Sequence, residues 1–124
     1  MPHAKLTLMD AFTARIAERM ARADARAKRL RAAVPNLARE LAKRGATRVV
    51  LIGSLARGDS YNDDTDVDLI VWGLSMGDAY EAGCDLSTLV DARVEVIPED
   101  IIGPRLRHAL QTEGVDVTEN HGAA

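Results

Sequence analysis

From residue 7 to residue 44, apolar side chains return every three or four positions. Phe12, Ile16, Met20, Ala23, Ala27, Leu30, Val34, Leu37 and Leu41 therefore draw one continuous stripe along a long amphipathic helix. Thr7 or Asp10 is placed to cap its start, and Gly45 to stop it. Pro35 removes a hydrogen bond from the ladder and predicts a kink or split near Ala33, although the stripe keeps its phase across it. A helix of this length exceeds what a small sheet can cover. The part before Arg31 is therefore expected either to project and pair with another chain or to fold back on its own domain.

The pattern then changes. Val49-Val50-Leu51-Ile52, bounded by Gly53, and Leu69-Ile70-Val71-Trp72 are unbroken apolar runs that read as buried strands. Residues 92–97 read as a third strand, with Val94 and Val96 on one face, Arg93, Glu95 and Ile97 on the other, and Pro98 ending it. Between the second and third strands, residues 73–77 read as a turn. Residues 78–90 follow as a helix weakened or interrupted by Gly83, with Ala79, Ala82, Leu86, Leu89 and Val90 as its apolar face. Residues 99–112 read as a last helix with Ile101, Ile102, Leu106 and Leu110 inward, its regular part beginning at Pro104. Gly114 stops it before a short strand over residues 115–118.

At 124 residues the chain suits one domain with one core. It is 47% apolar yet only 3% aromatic, so alanine and leucine fill the core, which points to helices packed on a small sheet. Nothing near the N-terminus resembles a signal peptide and no run reaches membrane-spanning length. The single Cys84 excludes an internal disulfide and suits a cytoplasmic protein. His3, His108, His121 and Cys84 have no zinc spacing. The net charge of −3 conceals an asymmetry: residues 1–48 hold twelve Lys/Arg against four Asp/Glu, and residues 49–124 hold four against fifteen. A basic helix can meet nucleic acid or an acidic partner, or can simply balance the acidic half and stay solvated. The lack of interleaved aromatic residues argues against direct nucleic-acid binding.

The chemistry concentrates between the first two strands, where five acids crowd together: Asp59, Asp63, Asp64, Asp66 and Asp68. Such a density of like charge is costly unless it is solvated or holds a cation, and oxygen-rich clusters suit Mg²⁺. Asp66 and Asp68 are two apart at a strand's entry and so share a face. Asp59, Asp63 and Asp64 read as loop residues, with Asn62-Asp63 a turn signal. Trp72 reads as core or rim packing rather than a base-stacking platform, and Cys84 and His108 as plain helix residues.

Gly53-Ser54, then Ala56-Arg57-Gly58, then Asp66-Val67-Asp68-Leu69 entering a strand resembles the active-site signature of the nucleotidyltransferase superfamily that includes DNA polymerase beta. In size the chain is similar to the minimal nucleotidyltransferases, and the resemblance spans residues 47 to about 118. One departure is that eleven residues lie between Ser54 and Asp66, one more than the family pattern more often has. The resemblance implies an α+β fold, a small mixed sheet with helices on one side in the order α-β-turn-β-α-β. The division expected is a helical extension over 1–45, a nucleotidyltransferase core over 46–118 and a disordered tail over 119–124. It also implies that Gly53 and Ser54 hold the triphosphate of ATP and that Asp66 and Asp68 bind two Mg²⁺ ions. Glu95, in the apolar-acid-apolar triplet Val94-Glu95-Val96, stands where the family usually has an aspartate as third carboxylate. Arg57 suits either the triphosphate or a salt bridge to Asp59 or Asp63. Small members of this family are commonly antitoxins that transfer AMP to a tyrosine of a HEPN-type ribonuclease toxin. The resemblance thus implies a HEPN partner, with a homodimer through the N-terminal helix as a further option. Adenylylation of a small molecule such as an aminoglycoside, and neutralisation of a partner by binding alone, are the alternative readings.

Overall fold

The computed structural model describes residues 7–59 and 65–119. Helix α1 spans Leu8–Lys43, strand β1 Arg48–Ile52, the short helix α2 Ser54–Arg57 and strand β2 Val67–Trp72. Helix α3 follows at Met76–Val90, then strand β3 at Val94–Pro98, a 3-10 turn at Glu99–Ile101, helix α4 at Pro104–Glu113 and strand β4 at Val115–Asp116. Asp63, Asp64 and the Asn62-Asp63 turn lie outside the described residues, as does all of the expected tail except Glu119.

Both candidate caps of α1 act together in a capping box. The Thr7 hydroxyl accepts the Asp10 N–H at 3.0 Å, and the Asp10 carboxylate accepts the Thr7 N–H at 3.1 Å. At the other end Gly45, at φ 110°, takes the left-handed conformation that closes a helix. The helix is continuous through Pro35, because Leu30, Val34, Leu37 and Leu41 on both sides of it are buried in one core. Burial of the stripe starts at Ala23. Before that, Leu8 (86% exposed), Phe12 (58%) and Met20 (55%) carry the same apolar face into solvent. The projecting part is therefore shorter than the sequence suggests, ending before Ala23 rather than at Arg31.

The sheet order is β3-β2-β1-β4, with β1 antiparallel to β2 and β4, and β2 parallel to β3. Alternation along the strands sorts its two faces. Val49, Leu51, Val67, Leu69, Val71, Val94 and Val96 face α1 and α3 in the main core. Val50, Ile52 and Ile70 face the other way, against Ile102, Leu106, Ala109 and Leu110. The expected one-sided helical layer thus describes α1 and α3, while α4 lies across the opposite face. Basic residues of α1 tie it to the acidic half. Arg29 donates to the Val90 carbonyl at 2.6 Å, at the C-terminal end of α3, and Arg44 pairs with Asp85 at 2.8 Å.

Four sequence expectations change. Helix α3 begins at Met76, before residue 78, because the Ser75 hydroxyl accepts the Asp78 N–H at 3.1 Å and caps it there. Gly83 does not interrupt it. A Cβ at that position would lie 3.1 Å from the Val94 carbonyl, so the missing side chain is what lets α3 lie close on β3. Ile101 is exposed rather than inward, since it sits in the 3-10 turn and α4 begins only at Pro104, its first residue. Leu89 is likewise exposed on α3. Trp72 packs at the rim as expected, with the Arg48 guanidinium 4.5 Å above its ring. Among the described residues no helix is long and apolar enough to cross a membrane.

Candidate active site

Strand β1 ends in a residue that only glycine suits. Gly53 stands at φ 85°, and a Cβ on it would lie 2.8 Å from Asp68 Oδ2. The turn and the carboxylate are therefore in direct contact. Strand register explains how they meet: Ile52 pairs with Asp68 across β1 and β2, and Asp68 pairs with Glu95 across β2 and β3. Asp68 and Glu95 belong to the face that α4 covers, and Asp66 lies just before β2 on the same side. Ser54 opens α2, and Gly58 closes it with its N–H on the Ser54 carbonyl at 2.9 Å.

These carboxylates crowd one another. Burial, then the negative charges of Glu95 and Asp66 and a hydrogen bond with Glu95, push the Asp68 carboxyl up to about 6, while Arg93 opposes the shift. Among the described residues no three His, Cys, Asp or Glu side chains form a ready-made metal cage. What the chain holds is the pair Asp68 and Glu95 with Asp66 beside it. Mg²⁺ commonly needs only one or two carboxylates besides the phosphates of a substrate, so this donor set fits such an ion.

A cleft of about 650 Å³ opens between that sheet face and α4. Gly53, Arg57, Asp68 and Glu95 line it from the sheet side, and Arg105, His108 and Glu113 from α4. Four of the six residues singled out from the sequence thus share one cleft. Ser54 and Asp66 flank it without lining it. His108, read from the sequence as a plain helix residue, faces the cleft instead. Arg57 makes two ion pairs, Nε to Asp59 Oδ2 at 3.0 Å and Nη1 to Glu113 Oε2 at 2.6 Å, which together raise its pKa further. Asp59 is therefore an arginine partner rather than a simple loop residue.

No family profile matches the sequence, and a search of curated proteins returned no match. Solved structures do match. A minimal nucleotidyltransferase aligns at 32% identity and a TM-score of 0.61, over 72% of this chain and 93% of that one. This chain belongs to the minimal nucleotidyltransferases. A toxin–antitoxin structure with AMP-PNP shares the fold at 18% identity and a TM-score of 0.59, over 70% of this chain and 74% of that one. So does a tri-AMPylated Shewanella oneidensis HEPN toxin in complex with its MNT antitoxin, at 16% identity and a TM-score of 0.51, over 70% and 73% of the two chains.

Sequence reasoning missed Arg105 and Glu113 in this nucleotidyltransferase. Glu113 did leave a trace. It is an acid at the last position of α4, where the helix dipole disfavours negative charge, so something other than the helix must hold it.

Proposed function

We propose that the protein transfers AMP from ATP to a tyrosine hydroxyl of a HEPN-type ribonuclease toxin and so acts as its antitoxin. The observation that carries this reading is the close approach of the Gly53 turn to Asp68, itself paired with Glu95, in the lining of one cleft. In the reaction the hydroxyl oxygen bonds to the α-phosphorus and gives up its proton to water, the bond from that phosphorus to the bridging oxygen breaks, and pyrophosphate leaves. Gly53, Ser54 and Arg57 are assigned to the triphosphate, through backbone N–H groups, a hydroxyl and a guanidinium. Asp66, Asp68 and Glu95 are assigned to Mg²⁺. Bound there, two such ions would supply charge stabilisation to the attacking and leaving oxygens. Glu95 is the exposed member of the carboxylate pair and the one that an acceptor would meet first.

A protein partner would bring its own acceptor hydroxyl to this cleft. The apolar stripe of Leu8, Phe12, Ile16 and Met20 offers the surface for such a partner in the cytoplasm. Protein and small-molecule acceptors separate in one assay of pyrophosphate release. A protein acceptor predicts release from ATP and Mg²⁺ only when the toxin is present, whereas release with an aminoglycoside and this chain alone would refute it.

A further inference from the structure

Glu113 holds the groups that the triphosphate needs. Behind it, Gly114 is packed so closely that a Cβ there would lie 2.5 Å from the Leu110 carbonyl oxygen and 2.9 Å from Val50 Cγ1. The end of α4 is thereby pressed onto β1, and Glu113 is carried over the Gly53 turn. Its Oε2 accepts the Gly53 N–H at 3.2 Å and the Arg57 Nη1 at 2.6 Å. One carboxylate oxygen thus takes both the backbone donor of the turn and the guanidinium, as a phosphate oxygen would.

We propose that Glu113 is an internal competitor for the triphosphate, a side chain that nucleotide must displace from Gly53 and Arg57 in order to bind. This rests on the nucleotide-binding reading given above and deepens it. Exchange breaks the hydrogen bond to Gly53 and the ion pair with Arg57 and needs only a rotation of the Glu113 side chain away from them, with no covalent bond broken. It also sets selectivity. A tri- or diphosphate carries enough charge to take Arg57 from a carboxylate, whereas a monophosphate gains little over the contact it replaces. The site therefore favours ATP and releases AMP-like ligands.

The test is the affinity of the full chain for ATP, for AMP and for inorganic tripolyphosphate, each with Mg²⁺, in wild type, Glu113→Gln, Glu113→Ala and Arg57→Ala. Both Glu113 variants are expected to bind ATP and tripolyphosphate about tenfold more tightly, the size expected when a charge-assisted competitor is removed. AMP should gain more than ATP in the same variants. Arg57→Ala should lose affinity. Tightening in two variants is not something that lost packing produces, and thermal unfolding of each checks that it is folded. If wild type binds ATP and both Glu113 variants bind it equally or more weakly, Glu113 only positions Arg57 and the competitor idea is wrong. If no chain, wild type included, binds ATP or tripolyphosphate, the nucleotide-binding reading itself falls and takes this one with it.

Discussion

Asp68 is where chemistry and stability pull in opposite directions. Its carboxyl is raised from the ordinary 3.8 to about 6, first by burial and then by Glu95 and Asp66. Below pH 3.8 it is protonated whether the chain is folded or unfolded, and the fold bears no cost. As pH rises through 6 the folded chain must ionise a crowded group, so the stability present at low pH is lost. Asp68→Asn is therefore expected to raise the metal-free unfolding temperature at pH 8, by the equivalent of about 1 kcal/mol after solvent screening, and to leave it unchanged at pH 3.5. Mg²⁺ titration followed by thermal unfolding should stabilise wild type and not this variant. An unchanged melting temperature at pH 8 would show that the crowding is relieved some other way. The pair Asp66 and Asp68 was legible from the sequence because a period of two is local information. Glu113 was not, because its contact with Gly53 spans 60 residues and depends on where α4 crosses the sheet.

Each helix of the fold is legible to the extent that its ends and faces are set by neighbours in sequence. Thr7, Asp10 and Gly45 bound α1 through bonds within one turn, so the reading of its ends survived intact. Gly83 was misjudged for the opposite reason. Its low helix propensity was visible in the sequence, but its close packing on the third strand was not. Gly83→Leu should cost about 1–3 kcal/mol by overpacking against the Val94 carbonyl and Val96, as read by chemical denaturation. A neutral result would mean that α3 can shift away from β3 at no cost. The turn at Glu99–Ile101 was read as part of α4 because Ile101 and Ile102 fit a helical period. The observed break places the start of α4 at Pro104, and with it the far wall of the cleft.

The molecule as a whole is a small sheet with its cleft-bearing face turned toward α4 and a helical arm leaving from the other side. Part of the charge asymmetry of the sequence resolves into internal contacts, since Arg29 and Arg44 bind α3 and Arg39 pairs with Glu119. Before Ala23, α1 carries an exposed apolar stripe from Leu8 to Met20. Phe12→Asp/Ile16→Asp is expected to leave stability within about 0.5 kcal/mol and to weaken the complex with the proposed toxin partner, measured by sedimentation. Loss of the complex together with loss of folding would instead make the arm part of the core. The most direct test of the whole account is the intact mass of the protein encoded beside this one, after incubation with this chain, ATP and Mg²⁺. The account predicts a gain of one or more AMP units that disappears with the Asp66→Ala/Asp68→Ala variant. An unchanged mass, with the two proteins still bound to each other, would contradict it and leave neutralisation by contact alone.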